Sequence, residues 1–263
     1  AVTDKMLKEV ASEDLACNLE FPLIHVLTEM EWEGINLDVD FLKDYSKTLT
    51  DELFGIRDNI YRLSGVEFNI DSPRQLGDIL FEHLKIPYEG AKTKTGQYAT
   101  GEEVLSPLRG KHEIIDHIIN YRELTKLKST YVDALPALVN SSTGRLHTTF
   151  GQTIAATGRL ASNNPNLQNI PIRTDRGKEI RKAFISRDSE HLILSADYSQ
   201  IELRIIAAIT QDEGMMEAFH KGEDIHSSTA SKVFGVPLDD VTKEMRRRAK
   251  AVNFGLAYGQ SSF

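Results

Sequence analysis

Apolar residues in the first half of the chain recur at the spacing of helices. Those at positions 21, 23, 24, 26, 27 and 30 share one face, which predicts an amphipathic helix that ends at Gly34. Asp38 predicts the N-cap of a long helix that runs to about Ser64 and stops at Gly65. Both helices are defined by their ends as well as by their apolar faces.

The following helices are also recognised from their termini. Ser72, Pro73 and Gln75 combine an N-cap, a proline at the first helical position and a capping box, which predicts a helix to residue 84. A flexible segment is predicted over residues 92–98, and a second helical pattern covers residues 113–139. The first half of the chain is therefore predicted to be almost entirely helical.

From residue 145 onward the pattern is mixed. Residues 145–150 alternate and are rich in β-branched and aromatic side chains, which predicts a strand. The short apolar run 191–196 predicts a buried strand with Asp197 at its end. Further helices are predicted over residues 201–209, 213–219, 224–235 and 242–258. A helical half followed by a mixed half is typical of an α+β protein with at least two lobes.

Charge is unevenly distributed along the chain. The 263 residues carry a net charge of −8, which by itself argues against nucleic-acid binding because phosphate is bound by Lys and Arg. Residues 1–40 account for this entire excess. Residues 157–187 carry +5 and residues 241–263 carry +4. Basic charge is therefore concentrated in two segments, as a channel that binds polyphosphate would require.

The composition excludes several other classes of protein. With 40% hydrophobic and 27% charged residues, the chain is globular rather than disordered. Its single cysteine, Cys17, excludes a disulfide scaffold and a zinc site built from cysteines, and it suits the reducing cytoplasm. No apolar run approaches the roughly 20 residues that span a bilayer, so we expect no membrane partner.

One face of the last predicted helix changes from basic to aromatic along its length. Arg246, Lys250, Phe254 and Tyr258 are spaced by four residues and share one face. Two cations followed by two aromatic rings suit a nucleotide, with phosphates at one end and the sugar and base at the other. The alternative is a solvated basic face that continues into a packed aromatic end.

Two further segments carry candidate chemistry. Asp197, at a predicted strand end, can hold a hard cation such as Mg²⁺ or can simply cap a helix. Glu202 in the next turn is open to three interpretations, as a second metal ligand, a salt-bridge partner or a wall that limits shape. The amide-rich residues 157–173 suit base edges and sugar oxygens, or they form a loop whose amides satisfy its own backbone.

Together these segments resemble the family A DNA polymerases. Residues 197–204, Asp-Tyr-Ser-Gln-Ile-Glu-Leu-Arg, match the first palm motif of that family, and residues 246–259 match its fingers-helix motif. Residues 157–173 match its primer-template segment, with Ala161 where Ser is usual. Asp-Ile-His at residues 224–226 matches a motif that precedes the fingers helix. The resemblance covers essentially the whole chain.

The resemblance implies an α+β, right-hand polymerase that is truncated, with a mostly helical thumb, a partial antiparallel palm sheet and a helical fingers segment. Its parts would be a connector from an upstream exonuclease-like domain, the thumb, and the N-terminal parts of the palm and fingers, at residues 1–36, 37–144, 145–210 and 211–263. The implied activity is template-directed addition of dNTPs to a primer 3′-hydroxyl. Its implied partners are primer-template DNA and dNTPs, and we expect a cytoplasmic monomer.

The resemblance also implies roles for individual residues. Asp197 would be catalytic and would bind two Mg²⁺ ions with help from the Tyr198 carbonyl. Glu202 would be the steric gate against a ribose 2′-hydroxyl, and Lys250 would share in both catalysis and triphosphate binding. The other implied nucleotide-binding residues are Gln200, His226, Arg246, Phe254 and Tyr258, and the implied DNA contacts are Arg159, Asn166, Gln168 and Arg173.

One requirement of the implied chemistry is missing from the sequence. Two Mg²⁺ ions need a second carboxylate, which the family takes from a later His-Asp-Glu motif that does not occur in these 263 residues. The nearest likeness, Gln211-Asp212-Glu213, lies at a predicted helix start, and we interpret it as a cap. We therefore expect a fragment that is inactive alone. The alternatives are a non-catalytic DNA-binding protein on the same scaffold and a single-subunit RNA polymerase, and Glu202 and Phe254 argue against the latter.

Overall fold

The chain folds into two compact units, which consist of residues 1–193 and 194–263. A computed structural model describes residues 2–88, 90, 92–172, 174–257 and 259. Within the described residues, no helix combines the length and the apolar character that a bilayer span requires.

The first unit is mainly helical. Its α-helices are α1 (Val2–Glu9), α2 (Glu13–Leu15), α3 (Phe21–Glu33), α4 (Val39–Ser64), α5 (Pro73–Gly77), α6 (Glu102–Leu105), α7 (Glu113–Leu127), α8 (Ala134–Ala137) and α9 (Asp175–Arg181). Wider π-helical turns follow α2, α5 and α7, at Ala16–Glu20, Asp78–His83 and Lys128–Val132. Its strands are β1 (Ile35–Leu37), β2 (Arg145–Leu146), β3 (Thr149–Gly151), β4 (Ala161–Asn163) and β5 (Phe184–Ile185).

The predicted ends of α3 and α4 are confirmed. Gly34 ends α3 with a positive φ of 64°, and Gly65 ends α4 in the left-handed conformation with a φ of 73°. Asp38 Oδ1 accepts a hydrogen bond from the backbone N–H of Phe41 at 2.9 Å, which satisfies one of the free donors at the start of α4. These are local effects, and the sequence predicts them well.

The N-cap of α5 is confirmed, but the predicted capping box is wrong. Ser72 Oγ accepts from the backbone N–H of Gln75 at 3.4 Å. The Gln75 side chain accepts from the backbone N–H of Asn69 at 2.8 Å instead of from that of Ser72. The reason is that the Ser72 N–H already donates to the Asn69 carbonyl at 3.1 Å. Gln75 therefore closes the turn before the helix.

Two apolar clusters hold the helices of the first unit together. Helices α4 and α7 pack along each other and contribute to both clusters. The fully buried side chains of the first cluster include Ile60, Leu76, Leu80, Ile114, Ile115 and Ile118. Those of the second include Leu42, Leu49, Leu146 and Ile180, so it reaches the small sheet. Burial of this kind is the main stabilising contribution to the fold.

The strand predicted over residues 145–150 is divided between two sheets. β2 and β5 pair antiparallel with the two edges of β1, whereas β3 pairs antiparallel with β4. The division falls at Thr148, whose hydroxyl lies 2.6 Å from that of Ser162 and 2.8 Å from the Pro165 carbonyl. These side-chain bonds replace a continuous strand ladder at this point.

The described residues of the second unit form four α-helices. They are α10 (Ile201–Thr210), α11 (Glu213–His220), α12 (Ile225–Phe234) and α13 (Lys243–Ala257). They confirm the four helices that the sequence predicts for this part of the chain. Asp212 Oδ1 accepts from the backbone N–H of Met215 at 2.8 Å, which confirms that residues 211–213 act as a cap.

The buried strand predicted over residues 191–196 is wrong. The segment has no regular structure, and the side chains of Leu192 and Leu194 are 94% and 89% exposed. A strand is stable only beside a hydrogen-bonded neighbour, and no strand among the described residues pairs with this segment. Its apolar composition favours a strand, but the described residues provide no neighbouring strand for it to pair with.

Candidate functional site

Asp224 is the centre of a polar cluster in the second unit. It is the N-cap of α12, where its Oδ1 accepts from the backbone N–H of Ser227 at 2.8 Å. Its two oxygens also accept from Arg246 on α13, at 3.0 Å from Nε and 2.8 Å from Nη2. Gln200, which immediately precedes α10, donates to Asp224 Oδ2 at 2.6 Å. One carboxylate thus joins the starts of α10 and α12 to α13.

The charge of Asp224 is stabilised by these donors. Burial raises the pKa of the Asp224 carboxyl, but the hydrogen bonds from Arg246 and Ser227 outweigh burial and hold its pKa well below its ordinary value. Charge-assisted hydrogen bonds of this kind are stronger than neutral ones. Asp224 is therefore ionised, and paired with Arg246, at every physiological pH.

His226 links the same two helices from inside the unit. Its side chain is only 3% exposed, and its ring lies against that of Phe254, with 5.6 Å between the ring centroids. Asn253 Nδ2 lies 3.2 Å from His226 Nδ1 and donates to Thr229 Oγ1 at 3.0 Å. Because an amide nitrogen only donates, Nδ1 of the imidazole accepts and the proton of the neutral ring is on Nε2.

The stability of the second unit is expected to depend on the protonation of His226. Burial lowers the pKa of His226 from its ordinary 6.5, and Arg246 and Lys250 also lower it, against the opposing effect of Asp224. The unfolded chain therefore binds more protons than the folded one near pH 6, so stability should fall as the pH falls from 7.5 to 5.5, by at most about 1.4 kcal/mol per pH unit.

Amide hydrogen exchange of α12 measures this effect as the free energy of opening of that helix. The variant His226→Gln keeps a polar side chain beside Asn253 but does not titrate, so its opening free energy should be flat over this range. A slope of equal size in both proteins would assign the pH dependence to another group.

The cations of α13 divide into two sets. Arg247 and Arg248 both donate to Glu244 on their own helix, at 2.7 Å from Arg247 Nη2 and 3.1 Å from Arg248 Nε, and they lower the pKa of that carboxyl to about 2. Lys250 is exposed, with its Nζ 5.8 Å from the centroid of the Phe254 ring. Arg247 and Arg248 thus pair within the helix, whereas Arg246, Lys250 and Phe254 lie apart from them. The nucleotide-binding role of that second set stays a prediction. Tyr258 lies outside the described residues.

Asp197 and Tyr198 precede α10 and are exposed, Tyr198 by 80%. The residue at the N-cap of α10 is Gln200, in the left-handed conformation, so the alternative in which Asp197 caps this helix is wrong. A carboxylate and a backbone carbonyl are the hard oxygen donors that Mg²⁺ prefers, and they fit that ion in chemistry. Among the described residues, no group of three or more His, Cys, Asp and Glu side chains is placed to hold a metal.

Glu202 lies in the first turn of α10 and is half-buried. Arg204 follows two residues later on the same helix. Its Nε donates to the Ser199 carbonyl at 3.0 Å, and its guanidinium lies 4.5 Å from the centroid of the Phe219 ring. Arg204 thus braces the start of α10 against α11. This bracing holds the turn that carries Glu202.

The amide-rich segment of the first unit is ordered by its own side chains. Asn166 accepts from the backbone N–H of Gln168 at 2.9 Å and caps a 3₁₀ turn, Leu167–Asn169. Tyr131 donates to the Asn169 carbonyl at 2.8 Å. Asn166 thus satisfies its own backbone, as the loop alternative expects, and it is also exposed, as are Arg159 and Gln168. Arg173 lies outside the described residues.

Sequence reasoning missed the link between Asp224 and Arg246. The cap formed by Asp224 is readable from the sequence, but the partner on α13 is 22 residues away. No spacing rule connects two helices at that separation. The sequence gives one signal, which is that Asp224 opens α12 and that the next long helix, α13, is strongly basic.

Comparison with known sequences decides the family. The sequence profile of DNA polymerase family A matches residues 39–263. The chain belongs to that family. The resemblance read from the motifs is therefore confirmed, as is the fold class, because a solved polymerase domain shares the fold.

The relatives of this family A chain are bacterial polymerases. It is 53% identical over 246 residues to DNA polymerase I of Caldicellulosiruptor bescii and 48% identical over 257 residues to that of Geobacillus stearothermophilus. It covers 29% of the length of each. It also matches the solved POL domain of Pol1 from M. smegmatis, in complex with DNA primer-template and dNTP, with a TM-score of 0.87 and 44% identity. That match covers 98% of this chain and 45% of the other.

Proposed function

We propose that this chain is the part of a bacterial DNA-directed DNA polymerase that binds the incoming dNTP and the primer-template. The enzyme would add dNTPs to a primer 3′-hydroxyl in replication and repair. The observation that carries the proposal is the surface of α13, where Arg246, Lys250 and Phe254 lie in order. Membership of family A and the DNA and dNTP bound by the M. smegmatis domain support it. We also propose that the enzyme works as a monomer in the cytoplasm.

We propose the same division of the chain that the motifs imply. Residues 1–36 would connect to an exonuclease-like domain, residues 37–144 would form the thumb, residues 145–210 part of the palm and residues 211–263 part of the fingers. The long helices α4 and α7 support the thumb assignment, since they supply an extended helical scaffold. The helices α11 to α13 support the fingers assignment, since they carry the cations suited to triphosphate.

Binding of the nucleotide would rest on α12 and α13. The guanidinium of Arg246 would hold phosphate oxygens, and the ammonium of Lys250 would neutralise the charge that develops on the leaving pyrophosphate. Phe254 would face the sugar and Tyr258 the templating pair, while His226 would donate from Nε2 to a phosphate. The His226 side chain is only 3% exposed, and its ring lies 5.6 Å from that of Phe254, so it also supports Phe254 by packing.

Asp197 and the Tyr198 carbonyl would hold Mg²⁺. The ion would neutralise charge on the phosphoryl group and would favour loss of the proton from the attacking 3′-hydroxyl. Arg159, Asn166, Gln168 and Arg173 would contact primer-template, and the capped 3₁₀ turn at Leu167–Asn169 supports this because it holds the amide-rich segment in one conformation.

The chain alone is expected to lack polymerase activity, because Asp197 would need a second carboxylate. The test is primer extension, comparing residues 1–263 with the complete polymerase that contains them, at equal concentration with Mg²⁺ and dNTPs. We expect extension by the complete enzyme only. If residues 1–263 extended the primer and Asp197→Ala abolished that extension, the proposal that the chain is inactive alone would be wrong. A complete protein that binds primer-template but never extends it would favour the alternative, a non-catalytic DNA-binding protein.

Substitution of Glu202 tests the proposed steric gate. In the complete polymerase, Glu202→Ala should ease incorporation of ribonucleotides, by about ten- to two-hundred-fold relative to dNTPs, since a pocket that loses bulk discriminates less against an added hydroxyl. The measurement is the ratio of kcat/KM for a dNTP and its rNTP. Glu213→Ala, which removes a carboxylate from the first turn of α11, is the matched control. Unchanged discrimination in Glu202→Ala would refute the gate.

A further inference from the structure

Asp224 makes more contacts than the capping of a helix requires. A cap uses one side-chain oxygen, and Oδ1 serves that purpose toward Ser227. Both oxygens nevertheless also accept from the guanidinium of Arg246, and Oδ2 accepts in addition from Gln200. Three of the hydrogen bonds that Asp224 accepts therefore come from Arg246 and Gln200 and are not part of the helix cap.

The pair with Asp224 uses only one edge of the Arg246 guanidinium. Asp224 occupies the side edge of the guanidinium, formed by Nε and Nη2. An arginine has five N–H donors in a planar fork, and the end edge is formed by Nη1 and the second hydrogen of Nη2. Within residues 194–257, no hydrogen bond engages that end edge. With the side edge taken by Asp224, the end edge is the one that remains to bind two phosphate oxygens side by side.

We infer that Asp224 is a positioning residue that presents the end edge of Arg246 to a nucleoside triphosphate, with Gln200 fixing Asp224 in turn. The inference rests on the proposed function, in which Arg246 binds the triphosphate. It gives Gln200 a role through Asp224 rather than through the nucleotide. The Arg246 side chain is 43% exposed, so without Asp224 it would be free to move, and binding would have to immobilise it.

The variant Asp224→Asn in the complete polymerase isolates this role. Asn caps a helix as well as Asp does, so α12 keeps its N-cap while the charged pair with Arg246 is lost. We expect the KM for dNTP to rise by about three- to tenfold, the cost of immobilising one long side chain, with a smaller change in kcat. The matched control is Glu244→Gln, which removes a carboxylate from Arg247 and Arg248 on the same helix and should leave KM unchanged.

The same substitution in an Arg246→Ala background decides between positioning and a general structural effect. If Asp224 acts through Arg246, Asp224→Asn should add nothing there. If Asp224→Asn raised KM equally with Arg246 present and with Arg246→Ala, the inference would be overturned. A lower KM in Asp224→Asn alone would also overturn it, because it would mean that Asp224 competes with phosphate for Arg246. Asp224→Ser, which also caps, repeats the test if Asp224→Asn fails to fold.

The proposed role of Arg246 has a separate test. An unchanged KM for Arg246→Ala alone would refute that role.

Discussion

Replacing Lys250 by Ala in the complete polymerase is expected to slow nucleotide incorporation by about 10²- to 10³-fold, the effect of removing one preorganised charge from a developing negative charge. Phosphoryl transfer depends mainly on alignment and charge neutralisation. Lys250 is suited to this because it is an exposed point charge on α13, beside Phe254. Binding of primer-template should change little, since one lysine is a small part of a phosphate-binding surface.

The measurement is single-turnover incorporation of one dNTP together with the equilibrium Kd for primer-template. Arg248→Ala is the matched control, because Arg248 is an exposed cation of the same helix that already pairs with Glu244. We expect it to alter the rate only slightly. Equal losses of rate and of DNA affinity in Lys250→Ala would mean that Lys250 contacts DNA instead of the nucleotide.

The sequence predicts those parts of the fold that depend on neighbouring residues. Asp38, Ser72, Asp212 and Asp224 all cap helices where the sequence places them. Each of these caps is a contact between a side chain and a backbone N–H only three residues away, so the local sequence determines it. The same holds for the left-handed conformation of Gly65.

Features that depend on distant partners could not be predicted in this way. The apolar run 191–196 has the composition of a strand, but a strand also requires a neighbour, which composition does not specify. Likewise, the spacing of Arg246, Lys250 and Phe254 shows that they share a face, but not that Asp224 holds the first of them. The separation of Arg246 from the ordinary cations Arg247 and Arg248 follows only from the packing of α12 against α13.

The proposed role of Asp197 in binding Mg²⁺ gives the largest expected effect. In the complete polymerase, Asp197→Ala should lower the rate of primer extension by about 10³-fold or more. The reason is that the Mg²⁺ that Asp197 would hold neutralises the reacting phosphoryl group, which contributes several kcal/mol to transition-state stabilisation. The stability of the protein should be unaffected within about 0.5 kcal/mol, as for most exposed positions, since Asp197 is exposed and lies outside the helices.

Asp197 is therefore distinguished from a structural residue by the contrast between the two measurements. Asp212→Asn is the matched control, since it removes a carboxylate from the same unit yet keeps a side chain that caps α11. We expect it to retain the rate of primer extension. If Asp197→Ala lost activity and unfolding free energy together, Asp197 would hold the fold rather than the metal. If it kept activity, the carboxylate that binds Mg²⁺ would have to be sought elsewhere in the enzyme, because one exposed Asp cannot be both dispensable and the ligand on which charge neutralisation depends.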